Sequence, residues 1–249
     1  MALKQFTTHT KETAHDELFR YTSGRWLIDE EDQLSQRFLK FDIGKLCRLA
    51  ASLLDEKLTC IHVDKLEGKS CRAFLLTMDD GRQLIAKIPY RISGAASYTT
   101  ASEVATMKFC MFYLVMILTA GADIRPVHLF TTLPVPNVLA WNSESTNEVG
   151  AEYIIMEKIP GVTLAEVWDG LSSLERYNII ERILAMEKEL ASLEFPAYGA
   201  LYLQDSVPIG PKRFPLPNML ESAELFCVGR NMDTEPCQFK AISVPFVRL

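Results

Sequence analysis

Residues 83–89 read QLIAKIP and residues 101–107 read ASEVATM. The first stretch sets one cation, Lys87, in an apolar, β-branched run and predicts a strand over Gln83–Ile88. The second opens a helical stretch, Thr99–Lys108, with Thr99, Thr100 or Ser102 as its N-cap and Glu103 near its start. Working back, Asp79-Asp80-Gly81 is a turn whose glycine supplies a positive φ. Before it lie strands at Leu58–Leu66 and Arg72–Met78, so three strands form an antiparallel meander. An amphipathic helix over 42–56 precedes them, with Ile43, Leu46, Leu49, Ala50, Leu53 and Leu54 on one face.

Working forward, residues 109–120 read FCMFYLVMILTA, and no charge occurs between Lys108 and Asp123. That run is shorter than the roughly 20 residues of a membrane span and reads as a buried extension of the helix, so no integral membrane span is expected. Pro134 and Pro136 precede a strand at Val138–Trp141; a polar turn, a strand at Ala151–Glu157 and the Pro160-Gly161 break follow. Leu171–Leu193 is a long helix with an apolar stripe, and the chain from Asp205 is proline-punctuated and loop-rich. The order predicts an α+β fold: a lobe with a five-stranded antiparallel sheet plus a helix, then the start of a helical lobe. The expected organisation is an extension and helix at 1–56, the lobe at 57–161 with an apolar insertion at about 109–131, the helical start at 162–204, and a truncated tail at 205–249.

The chain has 249 residues, 48% hydrophobic and 23% charged, which is an ordinary globular composition. A net charge of -6 gives no electrostatic reason to expect nucleic acid as a partner. Six cysteines form no C-x-x-C pair and only four histidines occur, so no metal site is expected and a reducing compartment is the default. No apolar stretch of secretory type follows Met1.

A strand lysine facing a helix glutamate suits one chemistry. Nucleotide phosphates must be held against their own repulsion, and a cation held in place by a carboxylate does so. Taken singly, Lys87 reads as a surface charge and Glu103 as a helix-dipole partner. Gly68, in the Glu67-Gly68-Lys69-Ser70 turn, is a candidate for covering phosphates with backbone N–H groups. Glu157 and Ile159, at the end of the fifth strand, are candidates for pairing an adenine edge through the backbone.

FRYTSGRWLIDEE (19–31), the Glu67-Gly68 turn, IAKIP, ASEVATM, LPVPNVLAW (133–141), GAEYIIMEKIPG (150–161) and YGALYL (198–203) occur in one order. Together they resemble the fungal aminoglycoside-phosphotransferase-like family over most of residues 19–230. The resemblance implies a kinase-like fold, ATP and magnesium, phosphoryl transfer to a small-molecule hydroxyl acceptor, and a mitochondrial address, with the cytoplasm as the alternative. On it, Lys87 matches the phosphate-contacting lysine, Glu103 its partner, and Glu157 and Ile159 the hinge.

This sequence departs from the family pattern in three ways. The turn at 67–70 holds a single glycine. Residues 109–131 have no recognised counterpart, which either a retained intron or a real insertion explains. No histidine follows His128, and none of Asp169, Asp205 or Asp233 begins a D-x-x-x-x-N pattern, so no catalytic base or metal ligand is assigned. The expectation is a phosphotransferase-like chain truncated before its catalytic loop and inactive alone. The alternative is a non-catalytic nucleotide- or protein-binding module linked to mitochondrial maintenance, meeting a protein partner through surface that truncation exposes.

Overall fold

The computed structural model describes residues 16–68, 71–92, 94, 97–119, 135–206, 213–216 and 225–231, with backbone alone for 112–119. Lys69, Ser70, residues 120–131, the first fifteen residues and most of the tail lie outside the described residues.

The predicted meander forms as β1 (Cys60–Glu67), β2 (Cys71–Met78) and β3 (Gln83–Pro89), and β4 (Val138–Asn142) and β5 (Tyr153–Glu157) complete the sheet. The strand order is β1-β2-β3-β5-β4, with every neighbouring pair antiparallel. Gly81, at φ 87°, makes the β2–β3 turn, where its N–H donates to the Met78 carbonyl at 3.0 Å. Alternation divides the sheet into two faces. Arg72, Phe74, Leu76 and Met78 of β2, with Leu84, Ala86 and Ile88 of β3, are buried on one of them.

That face packs on α2 (Ile43–Ser52), through Ile43, Leu46, Ala50 and Ala51, and on Phe19 and Phe41 of the N-terminal segment. Asp42 caps α2 by accepting from the Lys45 N–H at 2.9 Å. A short helix that the sequence did not signal, α1 (Glu30–Arg37), lies in the N-terminal segment. The other face carries α3 (Tyr98–Thr119), whose backbone runs on into the apolar stretch. Beyond Pro160 come α4 (Leu164–Val167) and α5 (Ser173–Ala191), the latter with a complete capping box between Ser172 and Glu175.

One departure concerns residues 198–230. Where helix and loop were expected, β6 (Ala200–Leu203), β7 (Phe214–Pro215) and β8 (Phe226–Gly229) form a second sheet, ordered β6-β8-β7. It packs on α3, burying Ala105 and Phe109 against Leu216, Phe226 and Val228. The architecture is α+β in layers: N-terminal segment and α2, five-stranded sheet, α3, small sheet. Among the described residues no helix is long and apolar enough to cross a membrane.

Candidate functional site

Lys87 stands opposite Ala73 of β2 and Ile154 of β5. Its neighbours Ala86 and Ile88 point into the core, so its own side chain leaves by the other face, toward α3. The start of α3 is fixed by Glu152, which accepts from the Ser97 N–H at 3.0 Å and from Thr100 Oγ1 at 2.7 Å. Ser97, at φ 66°, turns the chain into the helix. One turn on, Glu103 Oε1 accepts from Lys87 Nζ. The two side chains are 24% and 31% exposed, so the pair is accessible from solvent. An ion pair this open contributes little to stability, on the order of 0–1 kcal/mol. Its use is to hold the ammonium in one place.

Gly68 lies at the Lys87 end of the sheet, because Cys71 pairs with Pro89. Its N–H donates to the Cys71 carbonyl at 3.0 Å and closes the hairpin. A Cβ at Gly68 would sit 3.2 Å from that carbonyl, which is why a side chain fits poorly there. The amide proposed to cover a phosphate is therefore engaged in the turn.

Glu157 ends β5 opposite Leu84, three residues along β3 from Lys87, or about 10 Å at strand rise. Its N–H donates to the Asn137 carbonyl at 3.1 Å, and its Oε1 accepts from the Asn137 N–H at 3.0 Å. This reciprocal pair fastens the end of β5 to the segment entering β4. Ile159 follows on exposed chain, and no hydrogen bond among the described residues uses its N–H. Of the two residues expected to pair a base edge, Ile159 is thus the one whose N–H is unused among the described residues.

Two residues near the pair went unread in the sequence, Glu152 and Cys71. Glu152 fixes the helix that carries Glu103 through Thr100, an expected N-cap that instead lies inside the helix. Cys71 shares the α3 side of the sheet with Lys87; burial pushes its thiol pKa up, while the Lys87 charge draws it down. Alternation from Ala73 was the available signal for Cys71. Glu152 gave none, since its role depends on a contact 52 residues away.

Magnesium takes oxygen ligands in an octahedron, usually from carboxylates and phosphates. The carboxylate at the site, Glu103, is committed to Lys87. Among the described residues no three His, Cys, Asp or Glu side chains gather where a metal could be held. These residues do not fit a magnesium ion held by the protein.

The chain is 42% identical over 144 residues to a subtelomeric hrmA-associated cluster protein of Aspergillus fumigatus, a match spanning 57% of this chain and 25% of that protein. It is 27% identical over 238 residues to "Altered inheritance of mitochondria protein 9, mitochondrial" of Meyerozyma guilliermondii, across 80% of this chain and 36% of that one. The protein of the same name in Yarrowia lipolytica is 30% identical over 207 residues, across 77% and 33%. The chain thus spans about a quarter to a third of the length of these curated relatives. No family model matches it. No solved structure matches it either.

Proposed function

We propose that this chain is a nucleotide-binding lobe of the aminoglycoside-phosphotransferase-like kind, working in mitochondria and catalytically silent on its own residues. The observation that carries the reading is the Lys87–Glu103 pair, held partly exposed between an antiparallel sheet and α3. A cation fixed by a carboxylate suits a di- or triphosphate, and the exposed Ile159 amide at the far end of β3 suits a base edge. The mitochondrial address follows the printed names of the relatives from Meyerozyma and Yarrowia. The family reaction is phosphorylation of a small-molecule hydroxyl by ATP. These 249 residues contain no D-x-x-x-x-N segment after the hinge, and base catalysis alone is worth roughly 10²–10⁴-fold. Turnover by the chain alone is therefore expected to be negligible, with nucleotide binding retained.

A thermal-shift titration tests this. ATP is expected to raise the melting temperature, by about 2.7 kcal/mol of linkage at a hundredfold excess over Kd. Lys87→Ala should remove the shift. A wild-type chain that shows no shift at millimolar ATP counts against the reading.

A second reading, a protein-binding module, has one observation in its favour. None of the residues of α5 is buried, and Leu174, Tyr177, Ile180, Ile183, Leu184 and Leu190 leave its apolar stripe exposed. A helix stripe of this kind is normally covered. Concentration-dependent light scattering that Ile183→Ser abolishes, with no response to ATP, would favour this module.

A further inference from the structure

Behind Lys87, on the opposite face of the sheet, the core changes character. Val63 and Phe74 belong to the apolar cluster. Toward the Gly68 end the same face carries Lys65, Glu67 and Arg72, with Lys65 paired to Phe74 and Glu67 to Arg72. Lys65 Nζ meets Glu67 Oε1 at 2.7 Å, and each side chain is 4% exposed. Arg72 is 1% exposed. Three buried charges in a row are costly unless their polar atoms are used.

Most of them are used, and on one neighbour, the main chain that precedes α2; Arg72 Nε is buried without a partner among the described residues. Lys65 Nζ donates to the Glu17 carbonyl at 2.8 Å, to the Arg20 carbonyl at 2.9 Å and to Thr22 Oγ1 at 3.3 Å. Glu67 accepts from the Thr22 N–H at 2.8 Å and from Thr22 Oγ1 at 3.1 Å. Arg72 Nη2 donates to the Phe19 and Arg37 carbonyls, both at 2.9 Å. Aromatic contacts extend the attachment: Tyr21 lies 4.9 Å from Trp26 and 6.1 Å from Tyr90, and the Arg72 guanidinium sits 5.2 Å over the Tyr90 ring.

Register ties this back face to the front. Arg72 lies between Cys71 and Ala73; Ala73 is the partner of Lys87, and Cys71 closes the turn at Gly68. Glu67 directly precedes Gly68. A segment that grips Arg72 and Glu67 from behind therefore fixes the residues that frame the Lys87 cleft. Apolar side chains could fill this face but would strand the Glu17, Phe19, Arg20 and Arg37 carbonyls. What the charges add is a fixed geometry.

We infer that residues 17–22 form a positioning strap for the nucleotide site, pinned behind Lys87 by Lys65, Glu67 and Arg72, with Glu67 the positioning residue. The inference rests on the nucleotide reading of Lys87. The test uses the full chain with Lys65→Met and Glu67→Gln combined, which removes both charges and leaves no lone buried ion between them. Amide hydrogens at 17–22 and 66–68 are expected to exchange at least about tenfold faster, while β5 is unchanged. ATP should bind about tenfold more weakly, the scale of one charge-assisted hydrogen bond, while adenosine binding stays as in wild type. Thr22→Val keeps both charges and should move the same readouts less, so it serves if the double variant folds poorly. Unchanged exchange at 66–68 overturns the strap, as does equal weakening of ATP and adenosine. A wild-type chain that binds no ATP overturns the nucleotide reading instead, and the exchange result then decides alone whether the strap fixes the hairpin.

Discussion

Arg72→Met would remove a cation from the largest fully buried side chain among the described residues. Arg72 is 1% exposed, and its Nη2 supplies the Phe19 and Arg37 carbonyls at 2.9 Å, while Nη1 is 3.5 Å from the Leu39 carbonyl. Methionine replaces the methylene stem and none of the donors. Two effects oppose each other. Desolvating a guanidinium costs several kcal/mol, and the variant escapes that cost. The acceptors, however, are main-chain carbonyls that remain buried, and each stranded one costs about 1–3 kcal/mol. The bond at 3.5 Å is too long to count for much. Two stranded carbonyls give about 2–6 kcal/mol, and relief of desolvation offsets part of it, so the expected net loss is about 1–4 kcal/mol. Urea unfolding followed by tryptophan fluorescence measures it. A loss below about 1 kcal/mol, or a gain, would refute the reasoning, because the N-terminal segment would then have found other partners for those carbonyls.

Two further outcomes follow from packing and from charge. Gly199→Ala would place a Cβ 2.1 Å from the Gly229 carbonyl, so the small sheet must separate; a loss of about 1–3 kcal/mol is expected, with faster exchange confined to β6 and β8. Burial pushes the phenols of Tyr90 and Tyr202 up to about 12. A phenol that keeps its proton longer in the folded chain contributes stability that is whole below about pH 10 and is lost as the pH rises toward 12. Lys65, whose ammonium is disfavoured by burial, tilts stability the other way as the pH approaches its usual range, so the readout is a comparison of variants. Tyr202→Phe, which gives up a 2.9 Å bond to the Arg230 carbonyl, should flatten the alkaline loss seen in urea midpoints against pH.

The sequence showed most of the main sheet. The meander and the Gly81 turn were legible because β2 and β3 alternate over seven to eight residues on either side of a clear turn signal, and β4 and β5 because short apolar runs lie between turn residues. The helix expected at 42–56 runs over Ile43–Ser52, ending before residues whose apolar character fitted the stripe. The small sheet was invisible because β6 and β8 have four residues each and β7 two, too few for a period to show. Its pairing depends on Gly199 approaching Gly229 closely, which is a tertiary fact. The charged row of Lys65, Glu67 and Arg72 was hidden for the same reason. Buried charges look like surface charges until the main chain that satisfies them is in place. At the candidate site, Lys87 and Glu103 were found together from order alone, since a strand followed by a helix faces the two side chains. The engagement of the Gly68 amide was not legible, because it depends on where the Cys71 carbonyl points.

The most direct measurement is chemical labelling of the lysine. An acyl-phosphate derivative of ATP transfers its acyl group to an amine lying beside the phosphates, and peptide mass analysis locates the product. The account predicts acylation at Lys87, suppressed by excess ATP and lost in Glu103→Gln, where the ammonium is no longer held in place. Labelling spread over exposed lysines such as Lys40 and Lys158, with no protection by ATP, would contradict it.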